Sequence, residues 1–171
     1  LRLTVAQQQR IDQLHPAFVF DLPIHIYTDP STEPTVVTIP VSRRTHERAV
    51  SLPAKPAMIV IDPHLSVLMA LTTDMPTDWL HAQARRAPTL SARMEAAEFL
   101  ADHASPKTAR TLRDILTNTA EHWSVRQQAA RSLGELGEAD ALTAILGSGD
   151  IENPKVRRAV IEGLAAAVTP G

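Results

Sequence analysis

Residues 123–134 read WSVRQQAARSLG, and the core of this pattern, an arginine followed seven positions later by a leucine, occurs three times in the chain. The three copies are Arg93 with Leu100, Arg126 with Leu133, and Arg157 with Leu164, and the arginines lie 33 and then 31 residues apart. A period of this length with one apolar stripe per copy is typical of a helical solenoid, because a single helix pair cannot bury its own hydrophobic face and must stack on a neighbour. Stacked pairs of this kind scaffold and bind, so we expect that residues of this chain catalyse nothing.

The composition changes along the chain. Eight of the 13 prolines fall within the first 63 residues, whereas most of the alanines follow residue 82. Proline is typical of turns between strands, and alanine is the strongest helix former. A chain of 171 residues can hold two small cores. We therefore predict a β-sandwich domain at residues 1–72 and a helical repeat domain at residues 73–171.

The first domain is predicted to consist of short strands. Apolar and polar residues alternate along residues 3–5, 18–26 and 37–41, as they do along a half-buried strand. Met58–Ile61 is apolar on both faces, which is expected of a strand in the middle of a sandwich, and Pro40 indicates an edge strand. With no helix-period segment among them, these strands predict a small antiparallel β-sandwich.

The second domain is predicted to contain six helices, at about residues 76–86, 90–102, 106–118, 124–136, 138–147 and 154–168. Ser105 and Asn153 each precede a proline, which places an N-cap residue before a proline at the first helical position. Ser124 with Gln127 is typical of a capping box, and Gly137 is typical of a left-handed C-cap. The predicted fold class is thus a mixed, multi-domain chain, in which a small antiparallel β-sandwich is followed by an α-α superhelix.

The predicted helices also suggest how the repeats pair. We expect the helix at 90–102 to pair with that at 106–118, and the helix at 124–136 to pair with that at 138–147, while the helix at 76–86 joins the two domains. The last helix would then open an unfinished pair. Its apolar residues should be only partly covered, which favours a homodimer through this helix; they are Val160, Ile161, Leu164 and Val168.

Charge and hydropathy exclude several kinds of partner. From residue 76 onward, the chain has 11 Lys or Arg and 12 Asp or Glu. We therefore expect no basic stripe that could bind phosphates, and nucleic acid is not a predicted partner. The apolar runs are far shorter than the ~20 residues of a membrane helix, so we expect a soluble protein without membrane contact. The chain has no cysteine, which leaves the compartment open, with the cytoplasm favoured. Because Leu1 already lies in a strand-like run, we expect a piece of a longer protein.

One string is similar to a zinc motif. His46 and Glu47 begin a His-Glu-x-x-His pattern, but the fifth position is Val50 and the segment is predicted to be a strand, on which residues four apart cannot converge on a metal. The seven histidines include no pair four residues apart. No glycine-rich phosphate loop and no Gly-x-Ser-x-Gly is present either. We therefore assign no catalytic, cofactor-binding or metal-ligating residue in this chain.

The repeated arginines and the two tryptophans could form a ligand-binding surface or hold the repeats together. One arginine at a fixed place in each repeat is more often a repeat-to-repeat hydrogen bond or salt bridge. Trp79 and Trp123 each lie near a predicted helix start, where packing between repeats is the more common role. We expect the structural role in both cases.

The order of several short segments resembles a known family. These segments are VAQQQ at residues 5–9, LPI at 22–24, IDP at 61–63, a helix start at Pro76, AAE at 96–98, and HWSVRQQAARSLG at 122–134. They resemble the C-terminal part of zinc aminopeptidases of the aminopeptidase N family, particularly bacterial members in which a small β-sandwich precedes HEAT-like repeats. The last segment alone also resembles many HEAT/armadillo-like solenoids, including phycobilisome lyases, and the order of sandwich then repeats is what favours the peptidases.

The resemblance implies a role for this region. In the family, a thermolysin-like catalytic domain removes N-terminal residues from peptides with a zinc-activated water, and its zinc motif lies upstream of the sandwich. The chain would then be the non-catalytic C-terminal portion that walls and caps the substrate chamber. Its partner would be its own catalytic domain, with zinc bound there and peptide contacted at most indirectly. The alternative is a HEAT-repeat scaffold for protein–protein interaction, or the equivalent region of a catalytically inactive relative.

Overall fold

The structure, a computed structural model, describes residues 1–149 and 151–168. The chain divides into two compact units, Leu1–Thr72 and Thr73–Gly171. The first unit contains the strands and the second contains the helices, as the sequence predicts for the fold class.

The described residues of the first unit form two small antiparallel sheets. The strands are β1 (Arg2–Ala6), β2 (Phe20–Tyr27), β3 (Thr35–Val41), β4 (Thr45–Ala49) and β5 (Met58–Ile61). One sheet pairs β1 with β4, and the other has the order β3-β2-β5. In the central strand β2, the alternating residues Leu22, Ile24 and Ile26 are buried, which is the face that the period-two pattern predicts.

The start of β2 differs from the prediction. The strand begins at Phe20, and Phe18 is 66% exposed instead of pointing into the core. The backbone of Phe18 is held by one side chain: its N–H donates to Gln7 Oε1 and its carbonyl accepts from Gln7 Nε2, both at 2.9 Å. The side-chain amide thus takes the place of a neighbouring strand at this residue.

The strand order of the three-stranded sheet confirms one prediction and corrects another. Pro40 lies in β3, opposite Asp21, at the edge of the three-stranded sheet, where a missing N–H is tolerated. Met58, Ile59 and Val60 of β5 are buried on both faces. However, β5 lies at the other edge of the sheet, so its apolar sequence reflects burial of both faces and not a central place in the strand order.

The helices of the second unit are α1 (Thr77–Arg86), α2 (Leu90–Phe99), α3 (Pro106–Thr117), α4 (Trp123–Glu135), α5 (Ala139–Gly147) and α6 (Pro154–Val168). A 3₁₀ turn at Leu100–Asp102 follows α2, so the regular helix ends before the predicted residue 102. In the described ranges, none of these helices combines the length and the apolar character needed to span a membrane.

Side-chain caps or a left-handed glycine mark several of the helix ends. Ser105 Oγ accepts from the Thr108 N–H at 3.1 Å, and Asn153 Oδ1 accepts from the Lys155 N–H at 2.9 Å. Gly137 follows α4 with φ +75°, the left-handed conformation that ends many helices. These three predicted caps are confirmed.

The predicted cap at Ser124 is wrong. The helix α4 begins one residue earlier, at Trp123, and its N-cap is His122. The His122 Nδ1 accepts the Ser124 N–H at 3.2 Å and lies 2.7 Å from the Ser124 hydroxyl. An imidazole nitrogen therefore provides the acceptor that the sequence pattern assigned to the serine.

The predicted pairing of the helices is displaced by one helix. In the described residues α1 packs on α2, α3 on α4, and α5 on α6, while α2, α4 and α6 stack on one another. These helices form a first pair (α1 and α2), a second pair (α3 and α4) and a third pair (α5 and α6). The stacking helices carry small buried residues, such as Ala97, Ala130 and Gly163, which let their backbones approach closely. The helix α6 therefore has a partner in α5, and the expectation of an unfinished pair is wrong.

Candidate functional site

The repeated arginines join the two helices of each pair. Each lies on the second helix and donates to a backbone carbonyl at or beyond the end of the first helix. The bonds are Arg93 Nη1 to Ala87 O at 2.6 Å, Arg126 Nε to Leu116 O at 2.8 Å, and Arg157 Nη2 to Ile151 O at 2.8 Å. Carbonyls at a helix C-terminus lack helical donors and carry partial negative charge. The expected contacts were between repeats, but these three bonds lie within pairs, and Arg93 also contacts the next pair through Glu121.

Two further contacts connect successive pairs. Arg93 Nε lies 3.1 Å from a carboxylate oxygen of Glu121, in the segment before α4, and both side chains are largely buried. Between the second and third pairs, Lys155 Nζ lies 4.0 Å from the centre of a Trp123 ring, which is a cation–π contact. Trp123 thus packs between repeats, as predicted. Arg93 and Trp123 thus make the structural contacts expected of them, whereas the buried Nη2 of Arg126 has no hydrogen-bond partner among the described residues.

We expect Arg126→Met to lower the free energy of unfolding by about 1–3 kcal/mol, because it removes the donor to the buried Leu116 carbonyl. Arg126 is 6% exposed, so water cannot readily replace the lost hydrogen bond. Arg131→Met is the control on the same helix. Its side chain is 47% exposed and forms a 3.7 Å ion pair with Glu162, which should contribute less than about 1 kcal/mol. Urea unfolding measures both variants, and equal losses would contradict a structural role specific to Arg126.

The histidine of the zinc-like string stabilises a turn. His46 lies on β4, and its Nε2 accepts the backbone N–H groups of Ser42 at 2.9 Å and Arg43 at 3.1 Å. Within residues 1–149 and 151–168, no three His, Cys, Asp or Glu side chains lie close enough to hold a metal ion. The described residues therefore offer no group of metal ligands, and the zinc that the family resemblance implies would belong to the catalytic domain upstream of the sandwich.

We expect the isolated chain to bind no stoichiometric zinc and to cleave no aminoacyl substrate, since tight zinc sites need three or four converging ligands. Elemental analysis after dialysis and an aminopeptidase assay with added zinc test this prediction. One tightly held zinc per chain would contradict it, as would turnover that a chelator abolishes and zinc restores.

A cavity between α1 and α3 gathers positive charge that the sequence analysis missed. This cavity, here called the basic groove, has a volume of about 550 Å³. Its lining includes one histidine, four cationic side chains and a threonine: His81, Arg85, Arg86, Lys107, Arg110 and Thr111. Two of the cations are paired, since Arg85 Nη2 lies 2.8 Å from Asp114 Oδ2 and Lys107 binds Asp78.

Burial and the charges of the groove lower the pKa of His81. His81 is 7% exposed. Burial lowers the pKa of its imidazole below the usual value, and the nearby cations Lys107 and Arg85 lower it further against the opposing effect of Asp78. The ring is therefore held in its uncharged form at neutral pH.

The basic groove was missed because charge was counted over the whole domain. Arg85 and Arg86 lie in the last turn of α1, and Lys107 and Arg110 lie one turn apart near the start of α3. The positions of these residues on their own helices are readable from sequence. Their convergence required the α1–α3 neighbourhood, which the incorrect helix pairing did not provide.

The apolar residues of α6 are covered unevenly. Val160 is fully buried and Leu164 is half-buried, whereas Ile161 is 52% and Val168 is 64% exposed. The prediction of partial cover is thus wrong for Val160. A stripe of two exposed residues remains on this helix.

A homodimer through α6 stays a prediction. We expect the mass measured by light scattering to rise toward that of a dimer as concentration increases, because pairing would cover Ile161 and Val168. Ile161→Glu should keep the chain monomeric. Val36→Glu, which changes an apolar residue of β3 that is 57% exposed, should leave the association unchanged. A wild-type chain that is monomeric at every concentration would contradict the prediction.

Comparison with known proteins identifies the repeats and one structural neighbour. The family described as HEAT repeats matches residues 77–165, which is more than half of the chain. No curated protein matches the chain in sequence. The structure of Legionella pneumophila aminopeptidase A in complex with aspartic acid is similar, with a TM-score of 0.58 and 10% identity. The similarity covers 86% of this chain and 24% of that chain, so the present chain spans about a quarter of that aminopeptidase.

Proposed function

The chain belongs to the family of HEAT repeat proteins, and from this premise we propose that it is the non-catalytic C-terminal portion of an aminopeptidase N-like zinc metallopeptidase. In this role its repeats wall and cap the chamber in which a separate catalytic domain holds peptide substrates. Zinc and the catalytic residues belong to that domain. In this proposal the chain helps to shape the chamber and takes part in no chemical step.

The observation that carries the proposal is the extent of the structural similarity. The second unit, Thr73–Gly171, contains 99 of the 171 residues, which is about 58% of the chain. A similarity that covers 86% of the chain must therefore extend well into the strands of the first unit. A generic repeat scaffold would match through its helices alone. The shared order of small sheets followed by helices supports a relation to the aminopeptidase fold.

The internal contacts of the repeats also suit a wall. Arg93, Arg126 and Arg157 tie the helices within each pair, and the contacts of Glu121 and Trp123 tie one pair to the next. Repeat arrays connected to their neighbours in this way present a continuous surface of fixed curvature. Such a surface can restrict which peptides reach a neighbouring catalytic site without contacting the reacting atoms.

The first test is the coding sequence upstream of these residues. We expect it to encode His-Glu-x-x-His with a glutamate further along, because a catalytic zinc site requires these ligands and a general base. A reading frame without a zinc motif would contradict the peptidase proposal and would favour the interaction scaffold or an inactive relative.

The second test addresses the wall itself in the full-length protein. Deletion of residues 73–171 should change the preference for short over long peptides while hydrolysis of a single-residue chromogenic substrate continues. A full-length protein carrying the surface substitution Arg131→Gln is the control and should keep the wild-type preference. If the deletion leaves the preference for peptide length unchanged, these repeats do not wall the chamber.

A further inference from the structure

We propose that the basic groove between α1 and α3 binds a dianionic phosphate group. The proposal is independent of the peptidase assignment, because it depends only on residues of this chain. The ligand is either free phosphate or the phosphate ester of a small molecule, since both present the same group to the groove.

The charge of the groove matches a dianion. Arg85 and Lys107 are each neutralised by an aspartate. In the described part of the chain, no carboxylate lies within ion-pair distance of Arg86 or Arg110. Two positive charges on the groove wall are therefore uncompensated, and a phosphate dianion carries two negative charges near neutral pH.

The donors of the groove also suit phosphate oxygens. A guanidinium presents several N–H groups in a planar fork, which binds phosphate through two parallel hydrogen bonds. Thr111 is 2% exposed, and its hydroxyl oxygen accepts from Arg85 Nη2 at 3.3 Å, so its own hydrogen is available to donate. Pro106 and Lys107, at the first turn of the 12-residue helix α3, belong to the lining, and this helix end carries partial positive charge.

His81 is a buried polar residue in the lining of the groove. The side chain lies in the groove lining and is 7% exposed, and its Nδ1 has no hydrogen-bond partner among the described residues. Because this atom has almost no solvent-accessible area, a ligand in the groove cannot contact it, and the anion is bound by the cations of the lining instead.

The size of the groove allows more than a bare ion. Its volume of about 550 Å³ lies within the range of roughly 300–1,000 Å³ that is usual for small-molecule pockets. A phosphate group held by Arg86 and Arg110 leaves space for an attached organic group. The groove can therefore take a phosphate ester as well as free phosphate.

Calorimetric titration of the intact chain at low ionic strength with inorganic phosphate, and separately with phenyl phosphate, tests the proposal. We expect saturable binding with one site per chain. Arg110→Gln should weaken binding about tenfold or more, which corresponds to the loss of a hydrogen bond to a charged group. The matched control is Arg113→Gln, on the same helix but outside the groove lining, which should change affinity less than threefold. Thermal unfolding confirms that both variants are folded.

The two ligands distinguish the source of the phosphate group. Tighter binding of phenyl phosphate points to an ester, and equal affinities point to the phosphate group alone. Absence of saturable binding of both ligands would overturn the proposal. So would equal weakening by Arg110→Gln and Arg113→Gln, which would mean attraction to the general surface charge. Preferential binding of an oligonucleotide over both ligands would overturn it as well.

A second readout reports on the groove directly. Sulfate stays a dianion across the pH range in which histidine titrates, so its binding can be followed without a change in its own charge. Bound sulfate should raise the pKa of His81, measured by NMR, because it opposes the field of Lys107 and Arg85. The other titratable groups that act on this ring are Asp78 and His103. A His81 pKa that sulfate leaves unmoved, in a sample that binds sulfate, would place the anion elsewhere.

Discussion

Leu133→Ala is expected to lower the free energy of unfolding by about 2–5 kcal/mol, the range seen for large-to-small changes in a packed core. Leu133 is fully buried and lies on α4. That helix packs against α2, α3, α5 and α6, and Leu133 belongs to the core cluster that these helices share. Partial collapse of the surrounding helices cannot fill a cavity at this residue without shifting several interfaces together.

Leu164→Ala is the matched comparison, because the same leucine of the repeat lies on the last helix. Leu164 is half-buried at the border of the core, so its truncation removes less apolar contact and leaves a space open to water. We expect a smaller loss than at Leu133. Urea unfolding of both variants measures the order, and an equal or larger loss at Leu164 would contradict the arrangement of the repeats.

Local chemistry explains why the helix ends were largely predictable from sequence. The caps at Ser105 and Asn153 and the left-handed Gly137 depend on residues within a few positions of one another. The incorrect prediction at Ser124 also has a local cause. The capping-box pattern considers hydroxyl and carboxylate side chains as caps, whereas the acceptor here is the neighbouring imidazole of His122. An alternative acceptor one or two residues away displaces a helix start without changing the fold.

The pairing of the helices could not be obtained from the same information. Between the predicted helices, the connections on both sides of α2 contain three residues each, 87–89 and 103–105, so loop length does not show which neighbour α2 packs against. The choice depends on which faces fit, and that is decided by small residues such as Ala97 and Ala130 in the stacked helices. The basic groove could not be predicted for the same reason, because its cations come from two helices, α1 and α3, whose contact the sequence does not show.

Two glycines lie where the backbones of α4 and α6 come close together. A Cβ built on Gly134 of α4 would lie 2.5 Å from the Cα of Gly163 on α6 and closer still to its carbonyl oxygen. A Cβ built on Gly163 would in turn lie 2.5 Å from the carbonyl oxygen of Ala130. Real Cβ atoms do not approach backbone atoms so closely. The atoms in the way cannot rotate aside as a side chain can, so the two helices would have to separate.

We therefore expect Gly134→Ala to lower the free energy of unfolding by about 3 kcal/mol or more, at or beyond the upper end of usual overpacking costs. Helix propensity acts in the opposite direction, since alanine is favoured over glycine inside a helix by about 1 kcal/mol. The control is Gly147→Ala, at the end of α5, where an added Cβ meets nothing within 4 Å. This change should be neutral or stabilising by up to about 1 kcal/mol. The same chemical change is therefore expected to lower the free energy of unfolding at Gly134 and to leave it unchanged or raise it at Gly147.

Urea unfolding with circular dichroism measures both glycine variants, and Gly163→Ala provides a second substitution at the same contact. A loss at Gly134 and at Gly163, combined with no loss at Gly147, would show that α4 and α6 touch through their backbones. If Gly134→Ala stabilises the chain as Gly147→Ala is expected to do, the helices are further apart than described. The stack of α2, α4 and α6 would then be held by side chains alone, and the repeats would form a looser wall than the proposed chamber requires.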